Sequence, residues 1–211
     1  MIHVTEVLDS LTEQELLRWM LTTPKAKREQ ISQEAMNVGH VVEDIIYADI
    51  RGTGILPTAP PTPIPVLNCL QAWQRFKEQH PTFCADVTGI QTEYTLGEIV
   101  GHSDLEVTDA RGWGIVDIKC SGAIYPKYWV QVCQYAWMKN MGLNGFGNPA
   151  FVGILRLDKK TGQFDYQEIT DWQTMRYEQL VFEAYYTVYR HGEKVRERLR
   201  LALEKEVLDV A

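Results

Sequence analysis

Asp104, Asp117 and Lys119 are the residues of this chain whose types and spacing could do chemistry together. They flank the turn Asp109-Ala110-Arg111-Gly112, and equal steps back from its centre reach Asp104 on one side and Asp117 on the other. With an even-length loop the two carboxylates face each other across an antiparallel hairpin, with Cβ atoms roughly 4.5–5.5 Å apart. A bulge at Gly112 would shift the match by one residue and spoil it. Facing carboxylates repel, and a divalent cation that prefers hard oxygen ligands, magnesium or manganese, would offset the repulsion. Lys119 lies two residues beyond Asp117 and so shares its face. It supplies a donor for a water or a phosphoryl oxygen. The competing reading is a surface hairpin whose Asp–Lys–Asp cluster is a solvated ion pair.

The elements that must position these residues are legible in the periodicity. Ser10-Leu11-Thr12-Glu13 is a capping box, and residues 10–50 read as helical. Thr23-Pro24 reads as a cap with proline at the first helical position, and Ile31, Ala35, Val38, Val42, Ile45 and Ile46 form an apolar stripe behind it. Pro57, Pro60, Pro61, Pro63 and Pro65 make 51–65 a stiff loop. A helix follows over 66–79. Three strands are expected from Phe83 to Leu96 (kinked at Thr88-Gly89), Glu98 to Thr108 and Trp113 to Cys120. Then come a helix over Lys127 to Met141, strands over 150–158 and 163–169, and a long helix opened by Asp171 and broken near His191-Gly192. The order predicts a single α/β (α+β) domain over 1–211: a helical N-terminal part to about residue 50, the proline-rich loop, and a central mixed sheet with a three-stranded meander flanked by helices.

The helix after the hairpin carries Gln131 and Tyr135 at i, i+4, on one face. Upstream, Gly39 and Glu43 share a helical face. The glycine is costly in a helix and suggests close approach to another element. Glu43, beside Val42 and Ile46, is a candidate third carboxylate or else a boundary residue facing water.

Lysine and arginine number 21 against 28 aspartates and glutamates, a net charge of −7. That excludes a protein that holds nucleic acid by bulk charge, but not one that meets phosphate through a bound metal. Cys69, Cys84, Cys120 and Cys133 form no C-x-x-C pair and fit no zinc or iron–sulfur spacing. They read as free thiols of a cytoplasmic protein. No apolar run is long enough for a membrane span, and Met1 to Glu6 has no secretory character. There is no P-loop and hence no helicase motor, and Gly142-x-x-Gly145-x-Gly147 follows a helix, unlike a dinucleotide fingerprint. Lys25, Lys27, Arg28 and the Lys159-Lys160 turn are the better candidates for DNA contact outside the centre.

Asp104, then Asp117-Ile118-Lys119, then Gln131-Val132-Cys133-Gln134-Tyr135 resembles the PD-(D/E)XK nuclease superfamily, and within it the RecB-like branch with D-x-K followed by Q-x-x-x-Y. The resemblance covers roughly residues 35–170. It implies a restriction-endonuclease-like core, with Asp104, Asp117 and the Ile118 carbonyl binding Mg²⁺ or Mn²⁺ and Lys119 orienting or activating the attacking water. It places an upstream helical acid at Glu43, with His40, one turn away, as second choice. Gln131 and Tyr135 would brace the site or touch the DNA backbone, and Lys127, His40, Gln131 and Tyr135 are the expected substrate contacts. Ser103 stands where the family's proline would precede the aspartate. The last cysteine is Cys133, so the iron–sulfur cluster of one branch is not expected. The implied activity is a metal-dependent, stand-alone deoxyribonuclease similar to phage and recombination exonucleases. Its expected setting is the cytoplasm, that of the host if phage-encoded, with DNA as partner and a second copy or a recombination protein as further partner. The alternative is a non-catalytic nucleic-acid-binding or protein-interaction module on the same fold, against which the intact set of acids stands.

Overall fold

A computed structural model describes residues 1–9, 21–54, 62–142 and 147–209. Its elements are β1 (Ile2–His3), α1 (Val4–Asp9), α2 (Lys25–Ile50), α3 (Ile64–Gln79), β2 (Ala85–Leu96), β3 (Ile99–Asp109), β4 (Gly112–Lys119), α4 (Pro126–Gly142), β5 (Phe151–Leu157), β6 (Phe164–Ile169) and α5 (Trp172–Asp209). Six strands form one mixed sheet in the order β1-β3-β4-β5-β6, with β2 pairing the other edge of β3. Helices cover both faces, which is the arrangement of a restriction-endonuclease-like core.

The strands form where expected because each has a buried partner to alternate against. In β4, Ile115, Val116 and Ile118 are buried; β5 is buried almost throughout, as a strand paired in parallel and covered on both faces must be. One core lies under α2 and α3 and includes Val42, Ile46, Val66, Cys69, Trp73 and Phe76. The other lies under α1, α4 and α5 and includes Val4, Val130, Val132, Tyr135, Met138 and Phe182. Asp49 ties α2 to α3, accepting from Trp73 Nε1 at 2.7 Å and Lys77 Nζ at 2.6 Å.

Several local expectations are corrected. Residues 2–3 form a strand, so the N-terminal part is not wholly helical. Pro24 is itself the N-cap of α2, with no side-chain cap bond. The apolar stripe of α2 is buried only from its middle onwards: Ile31 is 42% exposed, whereas Val42 and Ile46 are fully buried. The proline loop ends earlier, because Pro63 is the N-cap of α3 and Pro65 lies in its first turn, where a missing N–H costs nothing. α5 runs unbroken through His191-Gly192. Its start is as read, with Asp171 Oδ2 accepting from Thr174 N at 2.8 Å. The capping box at residues 10–13 and Pro57, Pro60 and Pro61 lie outside the described residues.

Candidate active site

The hairpin has the register that the turn arithmetic requires. Asp109 pairs with Gly112, Val107 with Gly114 and Leu105 with Val116, with no bulge at Gly112. One further step would pair Asp104 with Asp117, but the ladder ends at Leu105. Across from Asp104, between the pairs Ile90–Leu105 and Thr92–Ser103, sits Gln91, at φ 53° the one non-glycine residue with positive φ among the described residues. Positive φ in a non-glycine residue is uncommon and marks a local kink in β2.

Beside this stretch of β3 the sheet has a gap. β2 takes one edge of β3; the other edge is shared by β1 at Ile99 and Val100 and by β4 at Leu105 to Asp109. Between these two partners, no strand among the described residues pairs with residues 101–104 of β3 on that edge. An open cleft of about 170 Å³ fills the gap, lined among others by His3, His102, Asp104, Asp117, Lys119, Gln131 and Tyr135.

Asp104 uses its carboxylate as a replacement rung. Its Oδ2 accepts the Ile118 N–H at 2.6 Å and its Oδ1 accepts the Tyr47 hydroxyl at 3.2 Å. Because the N–H and C=O of one strand residue point to the same edge, the Ile118 carbonyl also faces the gap. Asp117 is buried, with Lys119 Nζ 2.6 Å from its Oδ2. Lys119 Nζ also lies over the Tyr128 ring, 5.2 Å from its centroid. Glu43 comes from α2, half-buried and within the electrostatic reach of Asp104, Lys119 and Asp117.

These contacts set the protonation states. Burial, then the charge of Asp104, pushes the Glu43 carboxyl up to about 8. Burial raises Asp117 to about 7, Lys119 opposing and Asp104 adding to the rise. Burial would lower the Lys119 ammonium, but the charges of Asp117 and Asp104 outweigh it and hold it above the ordinary lysine range. Tyr47 is pushed well above the ordinary phenol range, first by burial and then by Asp104, so it remains a hydroxyl donor.

Gln131 and Tyr135 are not surface residues of an amphipathic helix. α4 is buried nearly all round, and Gln131 Nε2 donates to the Tyr135 hydroxyl at 2.8 Å inside it. The Tyr135 ring lies against Gly101, where an added Cβ would stand 2.5 Å from a ring carbon, so the strand must carry glycine for the ring to reach the cleft. Lys127 is half-buried at the start of α4 and pairs with Asp9 at 3.3 Å. His40 is exposed on α2 and has no hydrogen bond or ion pair among the described residues, so the structure does not bring it to the cluster. A Cβ on Gly39 would meet only Glu43 Oε1 at 4.0 Å, an ordinary contact, so close packing does not explain that glycine.

Sequence reasoning missed Tyr47, although Glu43 and Tyr47 stand at helical i, i+4 spacing, which was the available signal. It missed His3 and His102 as well. A strand of two residues has no periodicity to detect.

Among the described residues no three His, Cys, Asp or Glu side chains are gathered closely enough to hold a metal ion. Asp104 is turned to Tyr47 and the Ile118 N–H, and Asp117 to Lys119. The donor chemistry nonetheless fits a hard divalent cation. Asp117 Oδ2 is a buried oxygen that Lys119 approaches in charge contact but that no donor meets in hydrogen-bond geometry. Three carboxylates share one ammonium, and two of them have suppressed ionisation.

No family model and no curated protein sequence matches the chain. Solved structures with a similar chain path include the alkaline exonuclease LHK-Exo from Laribacter hongkongensis, 12% identical over 96% of this chain and 94% of its own at a TM-score of 0.44. The same enzyme in complex with dAMP is 11% identical over the same shares, again at 0.44. SSO0001 is 13% identical over 87% of this chain and 74% of its own, at 0.40. These are likenesses of chain path alone.

Proposed function

We propose that this chain is a divalent-metal-dependent nuclease that hydrolyses DNA phosphodiester bonds in the cleft between β1 and β4. The observation that carries this is the concentration of Glu43, Asp104 and Asp117 around one ammonium, with acids that hold protons unusually well. Such a group gains more from a cation than from staying empty of one. Asp104, Asp117, Glu43 and the Ile118 carbonyl would hold Mg²⁺ or Mn²⁺. When bound, the metal polarises the phosphodiester and lowers the pKa of a bound water.

Lys119 does a different task. With the site empty, the charges of Asp117 and Asp104 keep its ammonium protonated. It acts as a fixed donor to a phosphoryl oxygen or to that water, aimed by Asp117 on one side and the Tyr128 ring on the other. Tyr47 holds Asp104, and Gln131 holds Tyr135 at the cleft wall.

End-labelled linear DNA and covalently closed plasmid, incubated with Mn²⁺ and with EDTA, test the reading. Cleavage in Mn²⁺ that EDTA abolishes is expected, and an exonuclease cuts only the linear form. A folded wild-type protein that leaves both substrates intact with Mg²⁺ and with Mn²⁺ overturns it.

A further inference from the structure

Two histidines stand at the outer end of the same cleft. His3 closes β1, and His102 lies on β3 in the gap between β1 and β4. Their rings stack with centroids 6.2 Å apart and planes 13° from parallel. Both side chains are exposed, and His102 Nε2 lies 3.0 Å from Glu93 Oε2 across the β2–β3 ladder. Neither ring nitrogen of His3 has a hydrogen-bond partner among the described residues.

The cleft lining carries two aspartates and three groups able to be cationic: Lys119, His3 and His102. Lys119 is engaged by Asp117. A phosphate-bearing strand entering a protein of net charge −7 therefore finds its remaining cation-capable donors in the two imidazoles. The cleft volume of about 170 Å³ far exceeds the ~10–15 Å³ that a single water needs, so the space between the acids and the histidines admits a larger group.

We propose that His3 and His102 form a phosphate-binding subsite, holding a phosphodiester of the strand whose scissile linkage lies at Asp104, Asp117 and Lys119. The inference rests on the nuclease reading above. His3 offers free ring N–H capacity. His102, held by Glu93 through one nitrogen, offers the other. A ring N–H that donates to an anionic phosphate oxygen makes a charge-assisted hydrogen bond, one of the stronger kinds. The stacked rings thus fix where the strand leaves the cleft, and so which linkage reaches Lys119.

The test compares wild type with the exposed double variant His3→Ala/His102→Ala and with His3→Gln/His102→Gln, which keeps an N–H donor at each position. Binding of a short fluorescent single-stranded oligodeoxynucleotide is measured by anisotropy in EDTA, and cleavage of the same oligonucleotide is measured in Mn²⁺. The alanine variant should bind roughly tenfold more weakly and show a similar rise in KM, with kcat changed less than about twofold; the glutamine variant should recover part of the loss. Wild-type cleavage with unchanged KM and binding in the alanine variant removes the histidine subsite and leaves the nuclease reading standing. A wild type that neither binds nor cuts removes both.

Discussion

The β3–β4 hairpin carries a charged cluster at each end, and the two are electrostatic opposites. At the turn, Arg111 bridges Asp109, with Nη2 2.6 Å from Oδ2, and Glu168, with Nη1 2.7 Å from Oε2. Its guanidinium also stacks 4.4 Å from the Phe151 ring centroid. Hydrogen bonds from Arg111 pull Asp109 below the ordinary carboxylate range. Burial would raise Glu168, but hydrogen bonds from Arg111 and Tyr166 lower it. At the open end, one lysine serves three acids, and Glu43 and Asp117 rise to about 8 and about 7. The forked guanidinium satisfies two carboxylates in water; the single half-buried ammonium contacts Asp117 directly, while Asp104 takes the Ile118 N–H and the Tyr47 hydroxyl. A satisfied cluster stabilises a fold, whereas an underpaired one is open to a ligand that completes it.

The sharpest way to break this contrast is to remove the lysine and its partner acid in turn. Lys119→Ala should lower kcat for DNA cleavage by about 10²–10³ or more while the protein stays folded and Mn²⁺ still raises its Tm. Asp117→Ala should abolish both cleavage and that rise. Cleavage by folded Lys119→Ala at the wild-type rate would overturn the role given to Lys119.

The pH dependence of stability in EDTA is the next largest effect. Glu43 has a folded-state pKa of about 8 against an ordinary 4.5. A raised carboxyl pKa means that the folded state holds its proton longer, so the associated stability is full below about pH 4.5 and is lost as pH rises through about 8. Between those limits wild type should lose on the order of 3 kcal/mol from this group, a figure discounted for its partial exposure and its coupling to Asp117. Denaturation at pH 5 and pH 9 measures it. Glu43→Gln should flatten the profile, and an equally steep profile in that variant would place the effect elsewhere. The same protons compete with a cation, so apparent Mn²⁺ affinity should rise over this interval.

Asp104 sharpens the comparison within the open end. Facing carboxylates alone predict that Asp104→Asn leaves metal-free stability unchanged or higher. The Ile118 N–H and the Tyr47 hydroxyl reverse that expectation, since both donate to the Asp104 carboxylate. The variant should lose about 1 kcal/mol in EDTA, and Tyr47→Phe about the same. A more stable Asp104→Asn protein would mean that repulsion outweighs the two bonds.

The smallest effect belongs to the turn. Arg111→Ala should lower Tm by about 2–4 °C, less in high salt, with cleavage within about twofold of wild type. A large loss of cleavage there would erase the distinction between the two ends.

By itself the sequence determined the hairpin. Loop length and the alternation of Leu105, Val107, Val116 and Ile118 specify a register, because one residue of slip would move every side chain to the opposite face of the sheet. That local rule already brought Asp104, Asp117 and Lys119 to one end of two strands. It also ordered the helices around them, since apolar spacing reports which face is buried. It could not show that β3 changes partners between Val100 and Leu105, because one of those partners is β1, a strand of only two residues. Nor could it show that Tyr47 and Glu43 reach the hairpin end: their helix and that hairpin are far apart in sequence, and only the packing of both against the core around Val42 and Ile46 sets the distance. Tertiary structure therefore decided which acids are underpaired. Whether a carboxylate is satisfied depends on burial and on every donor that surrounds it, and here those donors come from two separate elements, Tyr47 of α2 and Ile118 and Lys119 of β4.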